Sequence, residues 1–379
     1  MLKRPRKNRD RFDPTLKFER AGTQAFKVCL WIPRGETRGA YRHRTLAFRL
    51  FFLSTGETQM KKPFQTLLAA TGLIGAALLS ACGGGDDAPV APADKAVAII
   101  FAAVNGSTPV ACGTQLAGMG STGVAADLKD LRFYITNLKL INDKGEAVPV
   151  KLAANAWQLT QGAETVSLVD LENATGACNT PNNTTATHAA ITGTVPAGTY
   201  VGLKATMGVP ETMNHSAIAG GVPPLDNSPM AWSWQSGRKF SKIEIDPVGG
   251  ITKPDGSKIT TFNFHQGSTG CTAKTDASGA VVKDAAGNTV YTCTNLNVMD
   301  FSLAAFNTDT QKVVLDIGKL FSTTNVTVEN GGSPGCMSGA TDPECPTMFS
   351  QLQVSFGSGS TGLPINGGAA QQIFKAAAK

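Results

Sequence analysis

Short stretches of alternating apolar and polar residues, separated by turn-forming residues, dominate the C-terminal three quarters of the chain. Clear examples are residues 128–141, 200–207 and 240–245, and the turn sequence DKG at 143–145 follows the first of them. A period of two predicts β-strands, and no stretch shows the 3.6-residue period of a long amphipathic helix. The sequence therefore predicts an all-β fold, a single antiparallel β-sandwich or barrel-like domain with long loops over residues 96–379.

Other apolar or alternating stretches complete the predicted scaffold. We expect strands at 97–104, 147–152, 166–171, 191–195, 260–264, 297–306 and 312–315, and a short edge strand at 354–356. Insertions at 173–190, 266–292 and 322–347 are expected to form long loops. The alanine-rich end, residues 371–379, is interpreted as a frayed terminal helix or a tail.

Residues 60–81 have the three-part layout of a secretory signal, with a basic start followed by an apolar stretch. The segment ends in LSAC at 79–82, which resembles the bacterial lipobox and implies cleavage before Cys82 and lipidation of that residue. A short buried helix is the alternative. Glycine-rich residues 82–95 would then tether the domain to its anchor. We therefore expect a lipoprotein of the bacterial cell envelope, periplasmic or in the outer membrane, that contacts the membrane through its lipid only.

Residues 1–59 contain fourteen Lys and Arg against five Asp and Glu, a net charge of +9. One interpretation is an arm that binds nucleic acid. The other is that the gene start is assigned too early, that translation begins at Met60 and that residues 1–59 are disordered, and the absence of clear periodicity favours it. Lys61 and Lys62 raise the excess to +11 through Ala81, against +6 for the whole chain, so the remainder carries −5. A mildly acidic mature protein lacks the basic surface that nucleic-acid binding requires.

Six cysteines belong to the predicted domain, and they are Cys112, Cys178, Cys271, Cys293, Cys336 and Cys345. An even number in an exported domain indicates disulfides, and six cysteines allow fifteen pairings. Short separations favour Cys271 with Cys293 and Cys336 with Cys345, which leaves Cys112 with Cys178. A thiolate cluster that binds metal is the alternative. It is disfavoured because the chain has no Cys-x-x-Cys pair and an oxidising compartment removes free thiolates.

Residues with metal-binding or aromatic side chains concentrate in two loop-rich segments, 208–235 and 263–271. These segments contain His215, His265, Trp232, Trp234, Met213 and Met230. Imidazole is a common ligand for borderline metals, although a lone histidine is more often a hydrogen-bonded structural residue. The shared setting of the pair, rich in Gly, Asn and Ser, favours a metal site on a β scaffold. His188 lies in another loop and is the weaker candidate.

Trp232 and Trp234 alternate in the sequence MAWSWQ, so on a strand they would share one face. Such a face could belong to the core or could stack against a carbohydrate. Indole nitrogen is a donor only, so an unmodified tryptophan cannot ligate a metal in the ordinary way. A metal site here would require oxidative conversion to a species with an exposed aniline nitrogen.

Five motifs together resemble the MbnP-type copper-binding proteins, also called the metallo-mystery-pair four-Cys proteins. They are DLRFYITNLKL, VPAGTYVGLKATMGVP, Asn214-His215, PLDNSPMAWSWQSGRKF and FHQGSTGC, and the similarity spans nearly all of residues 97–350. The resemblance implies a periplasmic or surface copper protein. It further implies that a partner di-haem cytochrome of the MauG or cytochrome c peroxidase type oxidises a tryptophan to kynurenine, and that the product helps to bind copper.

Carried over to this sequence, the ligands implied by the resemblance are His215, His265 and an oxidised Trp232 or Trp234, and the choice between the tryptophans stays open. Met230 is a candidate soft contact for copper. Arg238-Lys239 departs from the family pattern, in which an aromatic residue is expected before the lysine.

The sequence contains no recognisable catalytic set. Ser268 lacks the Gly-x-Ser-x-Gly elbow, and aspartates such as Asp130 and Asp170 are interpreted as structural partners of Arg132 or of backbone groups. A c-type haem motif is absent, so any haem belongs to the partner. We therefore expect a copper-binding protein that is not an enzyme. The alternatives are an extracytoplasmic adhesion or glycan-binding sandwich with Trp232 and Trp234 as stacking platform, and, third, a copper oxidase or hydrolase.

Overall fold

The computed structural model describes residues 93–232, 237–285 and 287–379. The predicted leader, signal segment, Cys82 and most of the tether lie outside this part of the chain, as does Trp234. Within the described part, no helix has the length and apolar character needed to cross a membrane.

In the described residues the chain forms twenty-one strands. In chain order they are β1 Lys95–Asn105, β2 Thr108–Pro109, β3 Gln115–Met119, β4 Val124–Asn142, β5 Ala147–Pro149, β6 Lys151–Leu152, β7 Gln158–Gln161, β8 Glu164–Asp170, β9 Ala190–Val195, β10 Tyr200–Met207, β11 Ala231–Trp232, β12 Gly237–Arg238, β13 Ser241–Pro247, β14 Ile251–Thr252, β15 Lys258–Ile259, β16 Phe262–Gln266, β17 Thr269–Ala273, β18 Tyr291–Asn295, β19 Met299–Leu303, β20 Gln311–Asp316 and β21 Phe374–Ala378.

Helices are short throughout the described residues, as predicted. The α-helices are α1 Glu211–Asn214, α2 Ile317–Phe321 and α3 Cys345–Leu352, and single 3₁₀ turns form at Gly176–Cys178, Ser228–Met230 and Ile365–Gly368. Asp316 caps α2, because its side chain accepts a hydrogen bond from the backbone N–H of Lys319.

The long strand β4 is the centre of a nine-stranded antiparallel sheet in the described residues. The main order of the sheet is β16-β13-β4-β10-β19. In addition, three strands pair with β4, namely β3, β5 and β8, and β7 pairs with β8. Nineteen residues allow β4 to pair with different partners along its length. The predicted strand 147–152 is divided, since β5 pairs with β4 whereas β6 pairs with β9 in a second sheet.

The second sheet has six strands within the described chain, in the order β21-β20-β1-β9-β6, and β2 also pairs with β1. Its β1 and β20 are parallel, which departs from the antiparallel pairing of the other named strands in the described residues. The interpretation of the alanine-rich end as a helix or tail is wrong, because β21 pairs with the free side of β20. Alanine favours helices, but here an open strand edge supplies the hydrogen bonds.

The two sheets pack face to face, which confirms the predicted sandwich. Phe101 on β1 meets Phe133 on β4 with ring centroids 5.8 Å apart, in an edge-to-face arrangement. Both rings are fully buried, and burial of an aromatic side chain contributes about 1.5–3 kcal/mol. The face of β4 that carries Phe133 therefore lies in the main core.

The opposite face of β4 is also buried. Tyr134 follows Phe133 and so points away from the six-stranded sheet. It belongs to a second apolar cluster with Val166, Leu168, Val209, Met213, Leu225, Met230 and Phe240. The described parts of the segment between β10 and β13, residues 208–232 and 237–240, thus cover the outer face of the nine-stranded sheet, and they carry His215 and Trp232.

All three predicted disulfides are present: Cys112–Cys178, Cys271–Cys293 and Cys336–Cys345. The second joins directly opposed residues of the two-stranded β17–β18 ribbon. The third closes the loop that packs behind β16. The first bond ties the insertion at 173–190 to the loop before β3, and the other two close their insertions on themselves, as expected for loops with small cores of their own.

Candidate metal centre

Trp232 lies in a small antiparallel ribbon, in which it pairs with Gly237. Its side chain is 5% exposed. An ideal Cβ at Gly267 would lie 2.6 Å from Cζ3 of the Trp232 ring and 2.7 Å from the carbonyl oxygen of Arg238. The absence of a side chain at position 267 therefore creates the space in which the indole sits.

His215 follows α1 and is half buried. Its ring stacks on Tyr291 with centroids 4.7 Å apart, and its Nε2 lies 3.3 Å from Sγ of Cys293. An ideal Cβ at Gly237 would be 3.1 Å from Cε1 of His215. Gly237 is the strand partner of Trp232, so the strand that pairs with the tryptophan passes close to the ring of His215.

In the described chain, one group of three His, Cys, Asp or Glu side chains has ligand atoms within 4.8 Å of one another, namely His215, Cys271 and Cys293. The two sulfur atoms are joined in a disulfide, and a thiolate is needed to ligate a metal. A metal at His215 would therefore draw its other ligands from elsewhere.

His265 stands at the end of a row of ionisable residues on the outer face of the nine-stranded sheet. The register aligns Asp170 of β8 with Arg132 of β4, Arg132 with Lys242 of β13, and Lys242 with His265 of β16. All four are at least nine-tenths buried. Charged groups are buried in this way only when they are paired.

Carboxylates between these positions supply the pairing. Asp130 forms ion pairs with both Arg132 and Lys242. Glu244 lies 3.0 Å from Nζ of Lys242 and 2.8 Å from Nε2 of His265. The predicted structural role of Asp130 as a partner of Arg132 is confirmed, and the network extends further than expected.

The electrostatic environment keeps His265 neutral and Glu244 ionised. Burial lowers the pKa of His265, although the hydrogen bond and charge of Glu244 act in the opposite direction. Burial alone would raise the pKa of Glu244, but the bond from His265 and the charge of Lys242 lower it to about 2. A neutral imidazole retains a lone pair for a metal.

The second ring nitrogen of His265 has a different environment. Its Nδ1 is buried and has no hydrogen-bond partner in the described part of the chain. Leaving a buried polar atom without a partner costs about 1–3 kcal/mol. A bound group that pairs with this nitrogen would remove that cost, and copper is suitable because a neutral imidazole nitrogen is one of its usual ligands.

Arg238 holds the covering segment in place. Its guanidinium is buried and donates to the backbone carbonyls of Met213, Asn214, Ala217 and Leu225, and its own N–H donates to the side chain of Asn214. These bonds fix the turn that carries His215. The departure from the family pattern at position 238 therefore has a structural role here.

The remaining predicted residues occupy other environments. Met230 is fully buried in the second apolar cluster, and Trp234 is outside the described residues. His188 stacks on Trp157 with centroids 5.3 Å apart, and its Nδ1 is 2.7 Å from the carbonyl oxygen of Leu168. These contacts account for His188 as a structural residue.

Trp232 thus links the two predicted ligand segments, since its strand partner Gly237 touches His215 and its ring covers Gly267, two residues after His265. Residues two apart on an extended chain share a face. Sequence reasoning did not find Glu244, Gly267 or the role of Arg238. The alternation KIEID at 242–246 is typical of a solvent-facing strand, so it contained no sign that Glu244 is buried.

Comparison with known proteins gives two matches. The sequence profile of the MbnP family matches residues 94–338. The solved structure of MbnP from Methylosinus trichosporium is 34% identical, with a TM-score of 0.66, over 76% of this chain and 99% of that chain. The curated proteins contain no match to this chain.

Proposed function

Since this chain belongs to the MbnP family, we propose that it is a copper-binding protein of the bacterial cell envelope and not itself an enzyme. The observation that carries the proposal is the Nδ1 of the neutral His265, which is buried and has no hydrogen-bond partner among the described residues, on a strand whose end is covered by Trp232. The lipobox at 79–82 supports delivery to the envelope as a lipoprotein.

The residues that would hold copper are His215, His265 and an oxidised tryptophan. Two imidazoles suit copper, whereas the nearby sulfurs are in a disulfide and do not compete. Met230 would assist only if its side chain left the apolar cluster, so it is the least supported member of the set. Bound copper would supply a redox-active, thiophilic centre on the protein.

The third ligand would arise by oxidation of Trp232. In this reaction the indole C2–C3 bond breaks, an oxygen atom is added at each of these carbons, and hydrolysis releases C2 as formate. The product, kynurenine, has a free aniline nitrogen. The opening of the ring to N-formylkynurenine is a four-electron oxidation, so it would consume two molecules of hydrogen peroxide and form two molecules of water. A partner di-haem cytochrome would carry the four electrons from the indole to the peroxide.

Trp232 is favoured as the reacting residue because its ring lies against Gly267, two residues after His265, and its backbone pairs with Gly237, which lies close to His215. Its burial also argues against the glycan-binding alternative, since a ring that is 5% exposed cannot stack on a sugar.

Metal analysis of the protein produced with and without the cytochrome tests the proposal. We expect kynurenine and copper only after co-production. Trp232→Phe should abolish both, whereas Trp157→Phe, a tryptophan that stacks on His188, should abolish neither. His215→Ala and His265→Ala should lose copper and keep the fold, and His188→Ala should retain it. Full copper loading in both ligand variants, or with intact tryptophans, would contradict the proposal.

A further inference from the structure

We infer that Glu244 is a positioning residue that keeps the proton of His265 on Nε2, so that copper binds this histidine through Nδ1. The inference rests on the proposed function for its copper part. The assignment of the proton, however, is a property of the metal-free protein and can be measured without copper.

The geometry of the pair determines which nitrogen carries the proton. Oε1 of Glu244 lies 2.8 Å from Nε2 of His265. An ionised carboxylate can only accept a hydrogen bond, so a neutral imidazole at this distance must donate through Nε2–H. The other nitrogen, Nδ1, then keeps its lone pair.

The carboxylate cannot easily turn away from the histidine. Nζ of Lys242 lies 3.0 Å from the same oxygen of Glu244, and Lys242 is itself held by Asp130, which pairs with Arg132. Side chains in this chain of ion pairs are nearly inaccessible to solvent. Buried networks of this kind restrict the rotamers of their members.

The backbone of His265 is held as firmly as its ring. Its N–H donates to the carbonyl oxygen of Cys336 at 2.9 Å, and its own carbonyl accepts from the hydroxyl of Ser338 at 2.9 Å. The imidazole is therefore fixed at the main chain and at Nε2, which leaves one direction for Nδ1.

No described group satisfies Nδ1, although it is buried. A carboxylate that accepts a hydrogen bond from one nitrogen of an imidazole orients the other nitrogen toward a metal and makes it more basic. The same arrangement of carboxylate and imidazole is present here. Glu244 thus prepares His265 as a ligand, whereas the Nδ1 of His188 lies against a backbone carbonyl, that of Leu168.

Long-range proton–nitrogen NMR of the metal-free protein tests the assignment directly. In the wild type we expect His265 to be protonated at Nε2 and unprotonated at Nδ1. Glu244→Leu, which removes the acceptor, should give a mixture of tautomers. The matched control is Glu146→Leu, which removes a glutamate that accepts from the side chain of Asn142, and it should retain the wild-type tautomer.

Copper affinity is the second readout, measured by competition with a chromophoric Cu(I) chelator. Glu244→Leu should bind Cu(I) about 10–100-fold more weakly, the usual effect of removing such a partner, and Glu146→Leu should leave the affinity unchanged. If Glu244→Leu does not fold, the test uses the wild-type spectrum and the Glu244→Asp variant. The shorter aspartate side chain moves the carboxylate away from Nε2 of His265, so this variant should also give a mixture of tautomers.

A proton on Nδ1 in the wild type overturns the inference, as does a Glu244→Leu variant with an unchanged tautomer. Failure of the proposed function looks different, because the tautomer pattern would hold while even the mature wild type bound no copper.

Discussion

The ring of Trp232 occupies the position that a side chain at residue 267 would need, with Cζ3 2.6 Å from the ideal Cβ of Gly267. Because the carbonyl oxygen of Arg238 closes the other side at 2.7 Å, Gly267→Ala must displace the ring or the strand. We expect this variant to lose both tryptophan oxidation and copper, as measured by mass spectrometry and metal analysis.

Gly339→Ala is the matched control for this substitution. The nearest atom to an ideal Cβ there is Cβ of Asp342 at 3.7 Å, an ordinary contact. It should behave as the wild type. Normal copper content and normal modification in Gly267→Ala would show that the position of the ring does not matter.

Arg238→Met should destabilise the covering segment. The substitution leaves the carbonyls of Met213, Asn214, Ala217 and Leu225 without their donor in a buried place. We expect a loss of about 3 kcal/mol in the free energy of unfolding, measured by urea denaturation, together with weaker copper binding at His215.

The adjacent Lys239→Met provides the comparison for Arg238→Met. The Lys239 side chain donates to a single carbonyl, that of Pro229. Its replacement should therefore lower the free energy of unfolding clearly less than Arg238→Met does. Equal losses in the two variants would indicate that the bonds of Arg238 are not what holds the segment.

Stability should depend on pH through Asp170. Burial, together with the charges of Glu172 and Asp130, raises the pKa of its carboxyl to about 8 despite the opposing charge of Arg132. The pKa of an aspartate in an unfolded chain is about 3.9. The folded state therefore binds this proton more tightly, and the associated stability is complete below about pH 3.9 and is lost as the pH rises through about 8.

Asp170→Asn replaces the carboxyl with a neutral group that can still accept the bond from the N–H of Glu172. Its unfolding free energy should fall less than that of the wild type between pH 5 and pH 8, a window set by the two pKa values. Asp309→Asn, at an exposed ion pair with Lys95, should keep the wild-type slope. Parallel curves for Asp170→Asn and the wild type would refute the assignment.

The terminal strand β21 should contribute to the stability of the whole sandwich. Phe374 is 2% exposed, stacks on Phe301 with centroids 4.1 Å apart and meets Phe133 edge to face. Phe374→Ala should cost about 3–5 kcal/mol. Its neighbour Lys375 forms a partly exposed ion pair with Asp316, so Lys375→Ala should cost no more than about 1 kcal/mol. Thermal unfolding distinguishes the two.

Much of the scaffold could be predicted because the period of two survives in the sequence wherever a strand has one apolar face. The prediction for residues 200–207 coincides with β10, and that for 312–315 lies inside β20. The predicted edge strand at 354–356 is reduced to a single bridge between Val354 and Pro364, since a strand needs a neighbour that sequence alone does not provide.

The site was only partly predictable for the same reason. His215, His265 and Trp232 could be proposed because their residue types are rare in a polar loop and because they match a family motif. Glu244 and Lys242 could not be proposed. A strand that alternates charged and apolar residues is predicted to have a solvent-exposed face, and only the structure shows that another segment covers that face.

The sequence by itself determined the all-β class, the disulfide pairs and the two segments that form the candidate site. Those features follow from local periodicity, cysteine spacing and motif content. Only the tertiary structure decided that residues 374–378 form a strand, because the open edge of β20 and the rings of Phe133 and Phe301 outweigh the helix preference of alanine. It alone also placed Glu244 against Nε2 of His265, since that contact depends on the register of two strands and on the segment that excludes water from them.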